Sequence, residues 1–207
     1  MRRVGSRVLG VLMLGALAQF ATAQDNTEVI NLLPAGQERQ PVTIPFPDGF
    51  VVSPIARATI FVRDLEESLK LYRDILGLEP WFDNYWKGDS INRIMGTKGR
   101  ELRATVLRSG DAAFGNIGLY QLFKEDGAAP APSQRTDTRI GDVAVVFHTT
   151  EIDRLTQEIM AAGYAIVSPP VVLRHREDML VQGREMMFRD RDGVLVNLVQ
   201  GGIPKPQ

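Results

Sequence analysis

The chain of 207 residues contains no cysteine and only two histidines. The absence of cysteine excludes a structural disulfide, a thiolate nucleophile, a cysteine-ligated zinc site and a lipid anchor on cysteine. The formal net charge of −1 gives no general attraction to nucleic acids or anionic membranes. The sequence also lacks the glycine-rich nucleotide loops, the serine nucleophile elbow and the His-Glu-x-x-His helix. We therefore expect neither a nucleic-acid partner nor a nucleotide cofactor.

The first 23 residues have the pattern of a secretory signal peptide. Three arginines within the first seven residues form a basic start, and residues 8–20 form an uncharged run that is short for a bilayer span. Residues 21–23 (Ala-Thr-Ala) then place small residues where a signal peptidase cleaves. The alternative is a retained membrane anchor. The pattern favours a secreted or periplasmic protein that begins near Gln24 and is not attached to the membrane.

Residues 24–54 are predicted to form an extended arm. Five prolines are spaced closely along this segment, and proline disfavours helices and interrupts sheet ladders. The segment also carries large apolar residues, among them Val29, Ile30, Leu32, Leu33, Phe46 and Phe50. We expect the arm to lie over the domain that follows, and the alternative is an arm that is fully disordered.

Residues 55–203 are predicted to form one α+β domain with a repeated element order. Asp64 is expected to cap a helix with Glu67 in a capping box, and Thr150 is expected to cap a second helix. Gly77 and Gly163 stand where these helices should end. Strands are predicted at 55–62, 79–86, 101–109, 115–123, 143–149, 164–168, 184–189 and 194–200.

The element order indicates an internal repeat of two βαβββ modules, 55–124 and 141–201, joined by a linker at 125–140. The residues Leu119-Tyr120-Gln121-Leu122-Phe123 match Leu195-Val196-Asn197-Leu198-Val199, which pairs Gln121 with Asn197. One helix per module cannot cover both faces of a sheet. Two half-sheets that face each other would therefore form an open cup with a shared interior. The repeat leaves open whether the modules pair within one chain or across a homodimer.

Two motifs carry a family resemblance. The stretch Val62-Arg63-Asp64-Leu65-Glu66-Glu67-Ser68-Leu69, followed by Tyr72-Arg73-Asp74-Ile75-Leu76-Gly77-Leu78, resembles the opening module of the vicinal-oxygen-chelate superfamily, which includes glyoxalases, bleomycin-resistance proteins and extradiol dioxygenases. The stretch Phe188-Arg189-Asp190-Arg191-Asp192-Gly193 resembles the closing hairpin of that superfamily, with Arg191 where proline is common. The resemblance covers about residues 55–200. It implies the cup fold, and one fold hosts many reactions.

The resemblance also implies where metal-using members of the superfamily place their ligands. Each module supplies one residue on its first strand and one, usually glutamate, on its last strand. The matching positions here are Arg57, Gln121, Ala144 and Asn197. Arginine repels a cation, alanine has no donor atom, and carboxamides are weak ligands for zinc, iron or manganese. We therefore predict no metal cofactor; a rearranged site with Asp142 and His148 is the alternative.

The expected ligand-binding residues lie in the cup. Arg57, Gln121 and Asn197 could bind an oxygen-rich molecule, because guanidinium grips a carboxylate with two hydrogen bonds; the alternative is a polar network that satisfies itself. Tyr85 and Trp86 could stack on an aromatic ligand, and the alternative is core packing. His148 is the candidate general base, with core packing as its alternative. His175 is expected in a solvated loop.

Three functions remain open from the sequence. The first is an exported protein that binds a small oxygen-rich or aromatic molecule without the usual divalent metal. The second is a metal-dependent lyase, isomerase or dioxygenase with a rearranged site. The third is a metal-free enzyme in which His148 is the base and Arg57 stabilises anionic charge.

Overall fold

The computed structural model describes residues 27–36, 48–49, 51–123, 131, 134–172 and 175–206. The predicted signal peptide, much of the arm and part of the linker at 125–140 lie outside the described residues. The predicted α+β architecture of two βαβββ modules is confirmed. No helix within the described ranges is long and apolar enough to cross a membrane.

The first module forms a five-stranded sheet with the order β1-β3-β4-β5-β2. Strand β2 runs parallel to β5, and the other neighbours are antiparallel. The elements are β1 (Glu28–Asn31), β2 (Arg57–Phe61), α1 (Leu65–Leu69, continued as a π-helix over Lys70–Ile75), β3 (Glu79–Lys87), α2 (Asp89–Met95), β4 (Glu101–Arg108) and β5 (Asn116–Phe123). Strand β1 and helix α2 are additions to the predicted module.

The second module forms a four-stranded sheet with the order β6-β10-β9-β7, and a two-stranded sheet joins β8 to β11. Strand β6 runs parallel to β10, as β2 does to β5. The elements are β6 (Ala144–His148), α3 (Ile152–Ala161), β7 (Ala165–Val171), β8 (Met179–Val181), β9 (Arg184–Arg189), β10 (Leu195–Gln200) and β11 (Ile203–Pro204). Within the described ranges no ladder joins the two large sheets.

Part of the arm belongs to the first sheet. Strand β1 pairs with β3 in the register Glu28 to Lys87, and Ser90 at the start of α2 donates its N–H to the hydroxyl of Thr27. Residues 28–31 contain no proline, so every backbone group there is free to join a ladder. The arm therefore lies along the outer edge of the first module over these residues.

The sequence predicts the capping residue of α1 correctly, but not that of α3. Asp64 caps α1 and accepts hydrogen bonds from the N–H groups of Glu66 and Glu67, whereas the Glu67 side chain pairs with Lys70 and completes no capping box. The expected cap at Thr150 is wrong, because Glu151 occupies that position and makes no side-chain cap. A glutamine from the last strand of each large sheet provides a further acceptor: Gln121 accepts from Leu65 N of α1, and Gln200 accepts from Ile152 N of α3.

One hydrophobic core joins the two modules. Its buried members come from both sheets and both module helices: Ile60, Val62, Leu65, Leu69, Leu71, Tyr72, Leu78, Leu107, Ile117, Leu119, Ile152, Leu155, Ile159, Tyr164, Met186, Phe188, Val196 and Leu198. Within it, the Tyr72 hydroxyl donates a 2.9 Å hydrogen bond to Asp190 across the module boundary. The helices α1 and α3 therefore lie at the junction, and the opposite sheet faces are left for other contacts.

Candidate functional site

The alternation of β2 and β5 defines the face on which the candidate site lies. Ile60 and Leu119 pack with Leu65 of α1 in the core, so the neighbours of Ile60 and Leu119 in sequence point to the opposite face. We call this opposite face of the five-stranded sheet the cup face. It carries Arg57, Thr59 and Phe61 from β2, Asn116, Gly118 and Tyr120 from β5, and Leu102, Ala104, Val106 and Arg108 from β4.

Helix α2 covers one half of the cup face. Ile91 of α2 is buried with Leu102, Ala104 and Tyr120, and Trp86 packs against this group. The other half of the face stays open as a cavity of about 340 Å³. We call it the Arg57 cavity; its lining residues are Ala56, Arg57, Trp81, Val106, Arg108, Ala112, Ala113 and Asn116. The cavity lies at the lower end of the size range of small-molecule sites in proteins.

Arg57 is held by contacts that leave its N–H groups available. Its guanidinium carbon lies 5.4 Å from the centroid of the Tyr120 ring, which is cation–π distance. Among the described residues, the Arg57 side chain has no hydrogen-bond or carboxylate partner. A Cβ atom at residue 118 would lie 3.2 Å from Thr59 Oγ1 and 3.3 Å from Cε1 of the Tyr120 ring, so a side chain there would press on the ring that Arg57 contacts.

Arg108 is the second cation of the cavity, and it is only 5% exposed. Its guanidinium carbon lies 5.5 Å from the centroid of the Trp81 ring. Arg108 Nη2 donates a 3.0 Å hydrogen bond to Asp111, whose side chain is 97% exposed. An ion pair with so exposed a partner contributes little, because water screens it. The residues that line the Arg57 cavity thus include two arginines and no acidic side chain.

Unpaired polar atoms are concentrated in the same place. Within the described part of the chain, four buried side-chain N or O atoms have no hydrogen-bond partner, and three of the four belong to residues that line the Arg57 cavity. These three are Trp81 Nε1, Arg108 Nε and Asn116 Oδ1. An unpaired buried donor or acceptor costs about 1–3 kcal/mol, so such atoms are rare in proteins unless they have a use.

Gln121 does not point into the cup, and the physical reason is its strand position. It follows Ile117 and Leu119 on the core side of β5, where its Oε1 accepts from Leu65 N at 3.0 Å and its Nε2 donates to Arg63 O at 3.0 Å. Gln200 does the same for the second module, since its Oε1 accepts from Ile152 N at 3.2 Å. Gln121 is therefore a helix-capping residue.

This equivalence corrects the predicted match between the modules. Val62 N donates to Tyr120 O, and Thr149 N donates to Val199 O, so Tyr120 corresponds to Val199 and Gln121 to Gln200. The predicted match of Gln121 with Asn197 is shifted by three residues. The residue of the first module that corresponds to Asn197 is Gly118.

The remaining predicted residues are dispersed. Asn197 is buried in the second sheet and donates to Met186 O at 3.3 Å. His148 is exposed at the end of the edge strand β6 and lines a different cavity. The hydroxyl of Tyr85 donates to Glu101 on the α1 side of the first sheet, and Trp86 packs under α2. Arg57 is the only one of the predicted site residues that lines the Arg57 cavity.

The residues at the four ligand positions do not suit a divalent metal. With the corrected match these positions are Arg57, Gly118, Ala144 and Asn197, which offer one cation and a single neutral carbonyl. Asp142, the alternative ligand, bonds Arg189 at 2.8 Å and Arg135 at 3.0 Å, and the Arg189 hydrogen bond lowers the pKa of Asp142. The described residues contain no group of three or more His, Cys, Asp or Glu side chains placed to hold a metal ion.

Three polar or aromatic residues of the cavity were not chosen from the sequence as binding residues: Trp81, Arg108 and Asn116. Arg108 carries a recognisable signal, because it ends a strand whose alternate positions Leu102, Ala104 and Val106 are apolar and buried. A charge at the end of such a series points to the same face as the apolar residues. Asn116 lies opposite Arg57 in the ladder, which only the strand pairing reveals.

Comparisons with known proteins agree with this architecture. A family model described as Glyoxalase/Bleomycin resistance protein/Dioxygenase superfamily matches residues 54–198. A glyoxalase family protein from Bacillus cereus is 16% identical, with a TM-score of 0.61 over 76% of this chain and 99% of that one. A superfamily member from Sphaerobacter thermophilus is 24% identical, with a TM-score of 0.43 over 73% of this chain and 99% of that one.

A mutant of glyoxalase I from Zea mays is 19% identical, with a TM-score of 0.46, and the match covers 70% of this chain and 45% of that one. None of the curated proteins matches the chain. The likeness to the Bacillus cereus protein, at 16% identity, speaks for the fold alone, whereas the family model spans well over half of the sequence. The chain therefore belongs to the glyoxalase/bleomycin resistance protein/dioxygenase superfamily.

Proposed function

We propose that this chain binds a small molecule in the Arg57 cavity and does so without a divalent metal. One observation carries the proposal: three of the four unpaired buried polar atoms in the described residues belong to residues that line this cavity. A bound molecule with matching groups would pair these atoms, and the Ala and Val side chains of the lining would pack on its apolar part. The arrangement fits the general anatomy of small-molecule sites, which combine apolar walls with a few polar groups.

The two enzymatic alternatives have weaker support. A general base must lie within hydrogen-bond reach of the proton that it removes. His148 lines a separate, open groove with Glu151 and Arg154, and it is not part of the Arg57 cavity. A rearranged metal site would have to draw Asp142 away from two arginines that already bind it. The binding function needs no such rearrangement.

A ligand screen on the mature protein tests the proposal. The chain has two tryptophans, so Trp86→Phe leaves Trp81 as the single indole reporter beside Arg108. We expect compounds from a metabolite library that raise the melting temperature in EDTA also to change the Trp81 emission. Arg57→Gln should weaken these effects. Arg176→Gln is the matched control, because Arg176 is an exposed arginine paired with Asp178 outside the cavity.

Metal content is the decisive counter-test. Elemental analysis of the purified protein should find no stoichiometric zinc, iron or manganese. Binding that EDTA abolishes and that one of these ions restores would contradict the proposal and would favour the metal-dependent alternative. Binding in EDTA that does not change the Trp81 emission and is insensitive to Arg57→Gln would place the ligand elsewhere.

A further inference from the structure

We infer that the Arg57 cavity selects a small monocarboxylate that carries a hydrogen-bond donor on an apolar or aromatic body. This inference rests on the proposed function and adds the chemical class of the ligand. Three properties of the lining support it: its positive charge, the guanidinium groups of Arg57 and Arg108, and the unpaired acceptor Asn116 Oδ1.

The charge of the lining requires an anion. Arg57 and Arg108 both line the cavity, and no lining residue is acidic. Asp111 offsets part of the charge of Arg108 from an almost fully exposed position. The lining therefore keeps at least one uncompensated positive charge, that of Arg57, and a single carboxylate is enough to neutralise it. A phosphate dianion would introduce a second negative charge, and the lining cation left for it is Arg108, which already pairs with Asp111.

The shape of the guanidinium groups suits an acceptor that presents two oxygens side by side. Arg57 lies over the Tyr120 ring and Arg108 over the Trp81 ring, at 5.4 and 5.5 Å from the ring centroids. An arginine that contacts a ring in this way keeps its N–H edge for hydrogen bonds, and the fork geometry of this edge matches the two oxygens of a carboxylate. Arg108 Nε is one of the unpaired donors, and Trp81 Nε1 is a second. A carboxylate accepts hydrogen bonds without donating, so it suits both.

Asn116 requires a second polar group on the ligand, a hydrogen-bond donor. Its Nδ2 donates to Ala113 O at 3.4 Å, whereas its buried Oδ1 has no donor among the described residues. A carboxylate cannot pair with Oδ1, because it has no hydrogen to donate. The ligand must therefore bring a hydroxyl or an N–H group in addition to its charge. The rest of its surface meets Ala56, Val106, Ala112 and Ala113, which form only apolar contacts through their side chains.

Calorimetric titration of the mature protein with simple probes tests this class. Benzoate should bind, benzamide should bind at least about tenfold more weakly, and Arg57→Gln should remove that difference, as expected for a hydrogen bond to a charged group. Arg176→Gln should leave both affinities unchanged. Phenyl phosphate should bind no more tightly than benzoate. An equal affinity for benzamide, or a clear preference for phenyl phosphate, would overturn the assignment of a carboxylate.

The hydroxybenzoates test the second group. At least one of the 2-, 3- and 4-hydroxy isomers should bind several-fold more tightly than benzoate, and Asn116→Leu should abolish the gain while benzoate binding survives. If Asn116→Leu does not fold, the comparison within the wild-type protein still decides. The donor requirement is refuted if none of the three isomers binds more tightly than benzoate. Neutral probes that bind in the cavity and change the Trp81 emission would refute the carboxylate class while leaving the proposed binding function intact.

Discussion

The hydrogen bond between Tyr72 and Asp190 provides a quantitative test of how the two modules hold together. Tyr72 is fully buried and Asp190 is 3% exposed, and the 2.9 Å bond crosses from the first module to the second. Tyr72→Phe deletes the donor and leaves a buried carboxylate oxygen without it. Hydrogen bonds to charged groups contribute about 1.5–3 kcal/mol, so the free energy of unfolding should fall by about that amount. The measurement is urea denaturation followed by circular dichroism.

The loss should depend on pH with a definite sign. Burial raises the pKa of Asp190 above its ordinary value, while the hydrogen bonds from Val194 N and the Tyr72 hydroxyl lower it. A carboxyl group with a raised pKa contributes stability that is complete below its unfolded pKa of about 3.9 and is lost as the pH rises through the folded pKa. Removing the hydroxyl raises the pKa of Asp190 further. The penalty of Tyr72→Phe should therefore be smaller at about pH 4 than at about pH 8.

Tyr85→Phe is the matched control. The Tyr85 hydroxyl also donates to a carboxylate, that of Glu101. Burial is the larger cause and this hydrogen bond the smaller one that together raise the pKa of Tyr85 to about 12. Tyr85 and Glu101 are only half-buried and lie within one module, so water can replace the lost partner. We expect a smaller loss than for Tyr72→Phe, below about 1 kcal/mol. Equal losses in the two variants, or a Tyr72→Phe penalty that grows toward low pH, would refute this account of the module junction.

Four further predictions concern the cap, the cavity, the assembly and export. Gln121→Ala should lower the free energy of unfolding by about 0.5–2 kcal/mol in urea titrations, because it removes the acceptor for Leu65 N. Gly118→Ala should weaken benzoate binding several-fold by calorimetry, since the new Cβ would lie 3.3 Å from the Tyr120 ring that supports Arg57. Sedimentation equilibrium should reveal a homodimer if the free edges of β2 and β6 pair between copies, and a monomer at all concentrations would contradict this. The predicted signal peptide is tested by intact mass after expression of the full chain in a secreting host: the mass should correspond to a chain that begins at Gln24, and a full-length mass would indicate a retained anchor.

The fold could be predicted from the sequence because its strands and helix starts are marked by local patterns of apolar and capping residues. The predicted strand at 184–189 has the observed bounds, and that at 101–109 differs from Glu101–Arg108 by one residue. The apolar stripe of α1 and the acidic cap at Asp64 likewise predicted the start of the first helix. These features are local, since periodicity and capping depend on neighbours within a few residues.

The site could not be predicted as well, because it depends on which face a buried residue occupies. Strand β10 is buried on both faces over Leu195–Leu198, and β5 is buried over Asn116–Tyr120. Alternation of polar and apolar residues cannot reveal the face in such strands, so a match by residue type paired Gln121 with Asn197. Helix α2 is a second reason. It packs over Trp86 and leaves Trp81 in the lining of the cavity, an outcome set by long-range packing.

Arg57, at the first-strand position where metal-using members of the superfamily have a ligand, connects the family fold with the proposed binding of an anion. A divalent cation and a guanidinium cannot share one location, because two positive charges a few Å apart repel each other by several kcal/mol at the effective dielectric of a protein surface. Arg57 stands at that position, and Gly118, at the corresponding last-strand position, brings no side chain beside it. The sign of the site is thereby reversed, from a cluster that holds a cation to a lining that attracts an anion. In the function proposed above, the same fold keeps the location of the binding site, while the ligand would contact the protein directly and not through a metal ion.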